Sequence, residues 1–402
     1  MNILYILQQS IYNNNGKWLT ADSNIQMMCG MLREVTRRTN WKFYVLIGRL
    51  EDFADIKSYD EIFKHENVNF IPYKFPVDAF LNRQHFSVFE FDELMKNLPK
   101  IDVVWNNITE ASRNIKTYLY YKKLPAKLIS SCYWLDTPQI PGQNKVPPEI
   151  SYQWRQFDGF ECSDLVSFTC NSTINAFIKN AEHFFHKGSL MQIINKATIW
   201  DFGYSQKEMD QWKVNSGFYI KKILFLNRLS GINYTHHEEF IKAANELYDE
   251  LGGLFEVIFT NPSQKYSWDQ LKSMVKPLKI YSEKPLTREE YIKLLWSSDA
   301  SVHLYASELY GGCSHRESLH CNNVVITPKV FEYERIQGQH YPYYVREDLK
   351  DLKDVLRKVV LNGDFYKIPE TDKILERNRE SSFEVVAEKV VFDINQLIEG
   401  KA

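Results

Sequence analysis

The chain has 402 residues, 44% of them hydrophobic and 14% aromatic, more than a single core usually serves, so two domains are expected and a disordered chain is excluded. Lys and Arg total 49 against 51 acidic residues, a formal charge of -2, which argues against obligate electrostatic binding to nucleic acid but leaves room for a local basic face. The six cysteines contain no C-x-x-C pair, so neither a zinc site nor a disulfide framework is indicated, and buried free thiols in a reducing cytoplasm are the simple reading.

The opening MNILYILQQS is apolar for only six residues and lacks a basic leader, so it reads as a first strand and not as a signal peptide. No window approaches the ~18 apolar residues a membrane helix needs, and a soluble, cytoplasmic protein without integral membrane association is expected. Strand patterns then follow at Phe43–Ile47, Val68–Ile71, Val103–Trp105, Leu128–Cys132, Leu165–Thr169 and Ala197–Trp200. Helical spacing separates them, most clearly at Ile25–Thr36, which Asp22 or Ser23 can cap. The Pro-containing stretch from Thr137 to Pro148 reads as a long loop.

After Gly203 the polar run SQKEMDQWKVNSG reads as a linker. Lys222–Leu226, Phe255–Phe259, Lys279–Tyr281, Val302–Leu304 and Val324–Thr327 are the next predicted strands, with a helix over Glu238–Leu251. In PLTREEYIKLLWSSD, Thr287 and Glu290 make a capping box and Leu286 and Tyr291 a hydrophobic staple, so a helix begins there. Alternating strands and helices predict an α/β fold with mainly parallel sheets. The expected division is 1–203 as an acceptor-binding domain, 204–380 as a nucleotide-sugar domain, and 381–402 as a C-terminal helix returning to the first domain.

The most informative segment is SVHLYASELYGGCSHRESLHCNNVVITP, from Ser301 to Pro328. It reads as a strand, a tight turn at Gly311 and Gly312, and a helix from Cys313 to Cys321, with Glu308 and Glu317 framing the turn. A strand, a glycine turn and a helix N-terminus gather unpaired N–H groups and partial positive charge, which suits a diphosphate.

These residues resemble the GT-B glycosyltransferases, and most closely family 4 with its Glu-x7-Glu signature. ESLHCNNVVI occupies the place of the family's Glu-Ala-Met-Ala-x-Gly-x-Pro-Val-Val, and KKILFLNRLS puts Arg228 at the family's phosphate-binding arginine. DLVSFTCNSTINAF and ATIWDFGYS stand where the family ends its first half. The resemblance implies two Rossmann-like domains facing a central cleft. The chain also departs from the family. Glu308 and Glu317 are nine positions apart instead of eight, with Arg316 at the expected spot and the extra residue assigned to the glycine pair. The family's phosphate-binding lysine is missing, with Asn233 or Thr235 in its place, followed by His236 and His237. The first loop, NNNGKW, offers the single Gly16 where relatives have paired glycines.

The resemblance implies donor contacts from Gly16, Arg228, Gly311, Gly312 and Glu317, with Glu308 beneath the transferred sugar; Asn233 and His236 are the expected substitutes for the missing lysine, the histidine being otherwise a capping or surface residue. The chemistry agrees, because a guanidinium grips phosphate bidentately and a carboxylate can bond sugar hydroxyls or steady an oxocarbenium-like centre. For the acceptor, Trp134 and Asp136 occupy ground where relatives carry a histidine; Asp136 is either a base or the opening of a Pro turn. The run SRNIKTYLYYKKLPAK sets Arg113, Lys116, Lys122 and Lys123 among tyrosines, which fits either nucleic-acid contact or an amphipathic helix with Tyr inside and Lys outside.

The abundance of Asn, Lys, Ile, Tyr and Phe is similar to proteins of large AT-rich bacteriophages, whose GT-B enzymes glycosylate hydroxymethylated bases in their own DNA. The expected activity is transfer of a sugar from a nucleotide diphosphate donor to an acceptor hydroxyl, with retention and without metal or other cofactor. The expected acceptor is double-stranded DNA carrying such a base. The alternatives are a polysaccharide or small-molecule glycosyltransferase, a GT-B-like epimerase, and a sugar-nucleotide binding module.

Overall fold

The computed structural model describes residues 1–7, 23–50, 57–73, 87–132, 150–182, 185–201, 203–214, 220–227, 229, 236–260, 266–282, 286–304 and 312–401. They fall into two compact units, the first within 1–139, 146–202 and 383–402, the second within 203–382. The first half runs β1 (Asn2–Ile6), α1 (Ser23–Arg38), β2 (Lys42–Ile47), β3 (Val68–Pro72), α2 (Val88–Lys96), β4 (Val103–Asn106), α3 (Ser112–Tyr121), β5 (Lys127–Cys132), α4 (Ile150–Cys162), β6 (Leu165–Phe168), α5 (Asn171–Ala181), α6 (Lys187–Asn195) and β7 (Ala197–Ile199). It continues with α7 (Gln206–Gln211), β8 (Lys221–Phe225), α8 (His237–Leu251), β9 (Phe255–Phe259), α9 (Trp268–Met274), α10 (Arg288–Trp296) and β10 (Ala300–Val302). The remainder is α11 (Cys313–His320), β11 (Val324–Pro328), α12 (Phe331–Gln337), β12 (Tyr344–Val345), α13 (Leu352–Asn362), α14 (Thr371–Arg379) and α15 (Phe383–Ile398).

The first unit holds a parallel sheet in the order β3-β2-β1-β4-β5-β6-β7. Strand alternation divides its side chains cleanly between two faces. Ile3, Tyr5, Phe43, Val45, Val103 and Trp105 pack towards α1 and α15. Leu4, Ile6, Leu46, Val104 and Leu128 pack instead with Phe91 of α2 and Ile115 and Leu119 of α3. Helix α15 buries Phe383, Val386, Ala387, Val390, Ile394 and Leu397 in the first of these clusters. It is also pinned to the end of the sheet, where Asp393 accepts from Thr198 Oγ1 at 2.7 Å and from Trp200 Nε1 at 2.8 Å. Helix α1 approaches it so closely that a Cβ on Gly30 would lie 2.3 Å from the Phe383 ring.

The second unit holds a parallel sheet in the order β12-β11-β10-β8-β9. Helix α8 covers one face through Phe240, Ala244 and Leu247, packed on Ile223, Phe225 and Val257. Helix α10 covers the other through Ile292 and Leu295, packed with Met209 of α7 on Leu224 and Ile258. The expected linker is thus partly helical: Ser205 caps α7 by accepting from the Glu208 N–H, and Met209 is buried. The strand expected at Lys279–Tyr281 is reduced to an isolated bridge, Leu278 opposite Val257. The capping box of Thr287 and Glu290 is present as predicted. None of the six cysteines is in a disulfide, and among the described residues no helix is long and apolar enough to cross a membrane.

Candidate functional site

In the second sheet the strand order reverses between β8 and β10, which pair directly with Val302 opposite Phe225. Chains leaving two such neighbours run to opposite faces of the sheet, and the crevice opened at their carboxyl ends is where open α/β sheets bind ligands. Leu226 and Asn227 follow β8, and α8 begins at His237; His303 and Leu304 follow β10, and α11 begins at Cys313. The N-termini of α8 and α11 therefore both open at this edge, each bringing the partial positive charge of a helix start.

Gly312 stands just before α11 with φ 43 and ψ 146, a conformation that side chains resist. A Cβ there would meet nothing within 4 Å, so the glycine is needed for its backbone and not for space. His236 precedes α8 in the left-handed region, with Nδ1 3.6 Å from Glu239 Oε1. His237 is buried with its ring 5.9 Å from that of Tyr266.

Arg316 and Glu317 are both buried on α11 but point to different surroundings. The Arg316 guanidinium bonds Ser381 Oγ and lies 3.1 Å from Glu332, which also pairs with Arg335 at 2.5 Å. Glu317 faces α10: Oε1 lies 2.6 Å from Arg288 Nη2, and Oε2 accepts from the Tyr291 hydroxyl at 3.1 Å. Arg288 is held from behind by Glu208 of α7, at 3.2 Å from Nε and 3.0 Å from Nη2. Burial disfavours the Arg288 charge, but Glu317 and Glu208 outweigh that and hold the guanidinium above its usual value. Burial and the neighbouring Glu317 push the Tyr291 phenol well above its ordinary range, so it remains a donor. Burial also drives the His303 imidazole down to about 3.

The remaining predicted residues divide into two groups. Gly16, Trp134, Asp136, Arg228, Asn233, Glu308 and Gly311 lie outside the described residues. The basic run is described and proves to be engaged. Arg113 bonds Asp158 at 2.6 Å and Glu161 at 3.3 Å, Lys116 bonds Asp164 at 2.5 Å, and Lys122 pairs with Asp92 at 2.7 Å. Lys123 follows α3 with φ 54 and is exposed. Nor are the tyrosines uniformly inside: Tyr118 is buried, whereas Tyr120 and Tyr121 are 86% and 81% exposed.

Sequence reasoning missed Arg288 and Tyr291 as partners of Glu317, and Glu208 as the second partner of Arg288. Tyr291 is assigned to the hydrophobic staple, Arg288 sits inside the capping box of Thr287 and Glu290, and Glu208 sits in the supposed linker.

The whole chain is similar in structure to several solved proteins of low sequence identity. The sucrose-phosphate synthase from Thermosynechococcus elongatus matches over 100% of both chains with a TM-score of 0.70 at 12% identity. An alpha,alpha-trehalose-phosphate synthase (UDP-forming) from Burkholderia xenovorans, in complex with glucose-6-phosphate, matches 98% of this chain and 100% of its own, at 0.66 and 10%. A glycosyltransferase from Rickettsia africae matches 100% of this chain and 99% of its own, at 0.63 and 13%. No protein-family model matches the chain, and no curated protein matches it in sequence. The fold is that of GT-B glycosyltransferases, with two Rossmann-like parallel-sheet units in one chain.

Proposed function

We propose that this protein is a glycosyltransferase that binds a nucleoside diphosphate sugar at the carboxyl ends of β8 and β10 and transfers its sugar to an acceptor hydroxyl. The observation that carries the reading is the strand-order reversal at which α11 opens behind the backbone-demanding Gly312, with Glu317 one turn further in. The end-to-end likeness to a sucrose-phosphate synthase and to a UDP-forming trehalose-phosphate synthase supports it and makes UDP sugars the first donors to try.

Departure of the diphosphate leaves negative charge on its oxygens and positive character on the sugar ring. The α11 N-terminus and Arg228 suit the first, and Glu308 the second; Glu317 suits the ribose hydroxyls. Retention at the sugar carbon without a metal belongs to the same reading. Of the acceptors, a carbohydrate or small-molecule hydroxyl is favoured over a hydroxymethylated base in duplex DNA. Arg113, Lys116 and Lys122 are matched by Asp158, Asp164 and Asp92, which cancels the local positive charge a DNA backbone would need.

The test is to supply UDP, GDP and ADP sugars with hexoses, hexose phosphates or hydroxymethylcytosine DNA, and to measure free nucleoside diphosphate. Release that depends on a carbohydrate acceptor is expected. No release from any pair would overturn transferase activity, and release with DNA alone would overturn the acceptor assignment. Arg228→Ala and Glu308→Ala should each lose turnover by roughly a hundredfold or more while remaining folded, the scale of losing a charge-stabilising group.

A further inference from the structure

Glu317 is the only one of the proposed donor carboxylates among the described residues, and its surroundings go beyond a generic acceptor. Both of its oxygens are already held, Oε1 by Arg288 at 2.6 Å and Oε2 by Tyr291 at 3.1 Å. Each carboxylate oxygen has two acceptor sites, so each can accept one further hydrogen bond. That pair matches a vicinal diol whose two hydroxyls donate in parallel.

Arg288 is itself immobilised by Glu208, and Tyr291 is partly buried on the same face of α10, one turn along. The carboxylate is therefore built into a rigid frame of three helices, α7, α10 and α11, before any ligand arrives. Preorganisation of this kind raises affinity by removing the ordering cost at binding. A carboxylate serving only to join α11 to α10 would need one strong partner; here a charged fork and a hydroxyl converge on one side chain, and a further carboxylate fixes the fork.

Resting on the donor-site reading above, we propose that Arg288 and Tyr291 are positioning residues that hold Glu317 to receive the cis-diol of the donor's ribose, making the enzyme selective for ribonucleoside over deoxyribonucleoside donors. Glu208 supports the arrangement by fixing Arg288.

The experiment measures binding of UDP, GDP and ADP and of their 2′-deoxy counterparts to the full chain by calorimetry, in the native protein and in Glu317→Gln, Tyr291→Phe, Arg288→Gln and Arg288→Lys, with melting temperatures recorded for each. The native protein should prefer the ribo form of its diphosphate by at least about tenfold, the scale of one hydrogen bond to a charged group. Tyr291→Phe and Arg288→Gln should weaken the ribo form by about tenfold and leave the deoxy form within about threefold, and Arg288→Lys should restore part of the preference. A merely structural role would lower melting temperature and weaken both forms alike. Preference lost in Glu317→Gln but intact in Tyr291→Phe and Arg288→Gln overturns the positioning role alone. Failure of the native protein to bind any diphosphate overturns the donor-site reading and this proposal with it.

Discussion

His303 offers a sharp test of how the binding edge of the second unit is built. It follows β10 directly, is buried, and places Nε2 3.3 Å from Ser301 Oγ with its ring edge-on to His315 at 5.7 Å. Burial lowers its pKa from 6.5 to about 3, so the folded protein holds a neutral ring that the unfolded chain would protonate. A folded-state value below the unfolded one contributes stability that is complete above pH 6.5 and is lost as pH falls towards about 3. The loss is about 2 kcal/mol near pH 5 and about 4 kcal/mol near pH 3, set by the proton the unfolded chain gains. His303→Gln keeps a hydrogen-bonding group and removes the titration. Denaturant unfolding of both proteins at about pH 7.5 and about pH 5 should show the native protein losing about 2 kcal/mol more than the variant. Histidine-selective NMR should show the His303 ring neutral throughout that interval. A ring that titrates near 6.5, or equal losses in both proteins, refutes the argument that burial alone governs this histidine.

Three further outcomes bear on the same unit. Gly312→Ala meets no steric obstacle but must hold φ 43 with ψ 146, a strain of about 1–3 kcal/mol, so the turn should shift and diphosphate affinity fall by roughly tenfold while melting temperature changes little. Unchanged affinity in a calorimetric titration would show that the turn does not shape the site. Arg316→Met removes one partner of the buried Glu332 and should cost about 3 kcal/mol, less than a full orphaning because Arg335 remains at 2.5 Å. Gly203→Ala should also destabilise, by about 1–3 kcal/mol, since its Cβ would sit 2.6 Å from Arg316 Cδ and 2.8 Å from the Ser381 carbonyl. Melting curves matching the native protein in both variants would contradict this packing.

The parallel strands were legible because strands buried on both faces read as near-continuous apolar runs, as in Val103–Trp105 and Val324–Ile326. Short elements were not. Helix α7 is under two turns long and shows no period, and it is held by one cap and by Met209, while the two-residue β12 is too short to leave a pattern. At Leu278 a single bridge beside the edge strand β9 stood in for a full strand, because the ladder continues for only one residue. At the site, the strand, turn and helix were visible in chain order, as was the candidacy of Glu317. The grip of Arg288 and Tyr291 on it was invisible, because it joins residues 29 and 26 positions apart (317 − 288 and 317 − 291) through the packing of α10 on α11.

The placement of α15 in the first unit bears on how the protein is made. The described residues of the second unit all lie between Gly203 and Ser382, so they have been synthesised before α15 leaves the ribosome. The first unit begins earlier and finishes last. Until Phe383 and the residues after it arrive, Met28, Met31 and Leu32 of α1 and the nearby sheet lack the apolar surface that covers them in the finished protein. Domains generally fold as units during synthesis, and exposed apolar surface on incomplete ones attracts chaperones or aggregates. Nascent chains halted before Phe383 should therefore carry a settled second unit and an unfinished first one, and holdase binding should concentrate on the α1 face during that interval.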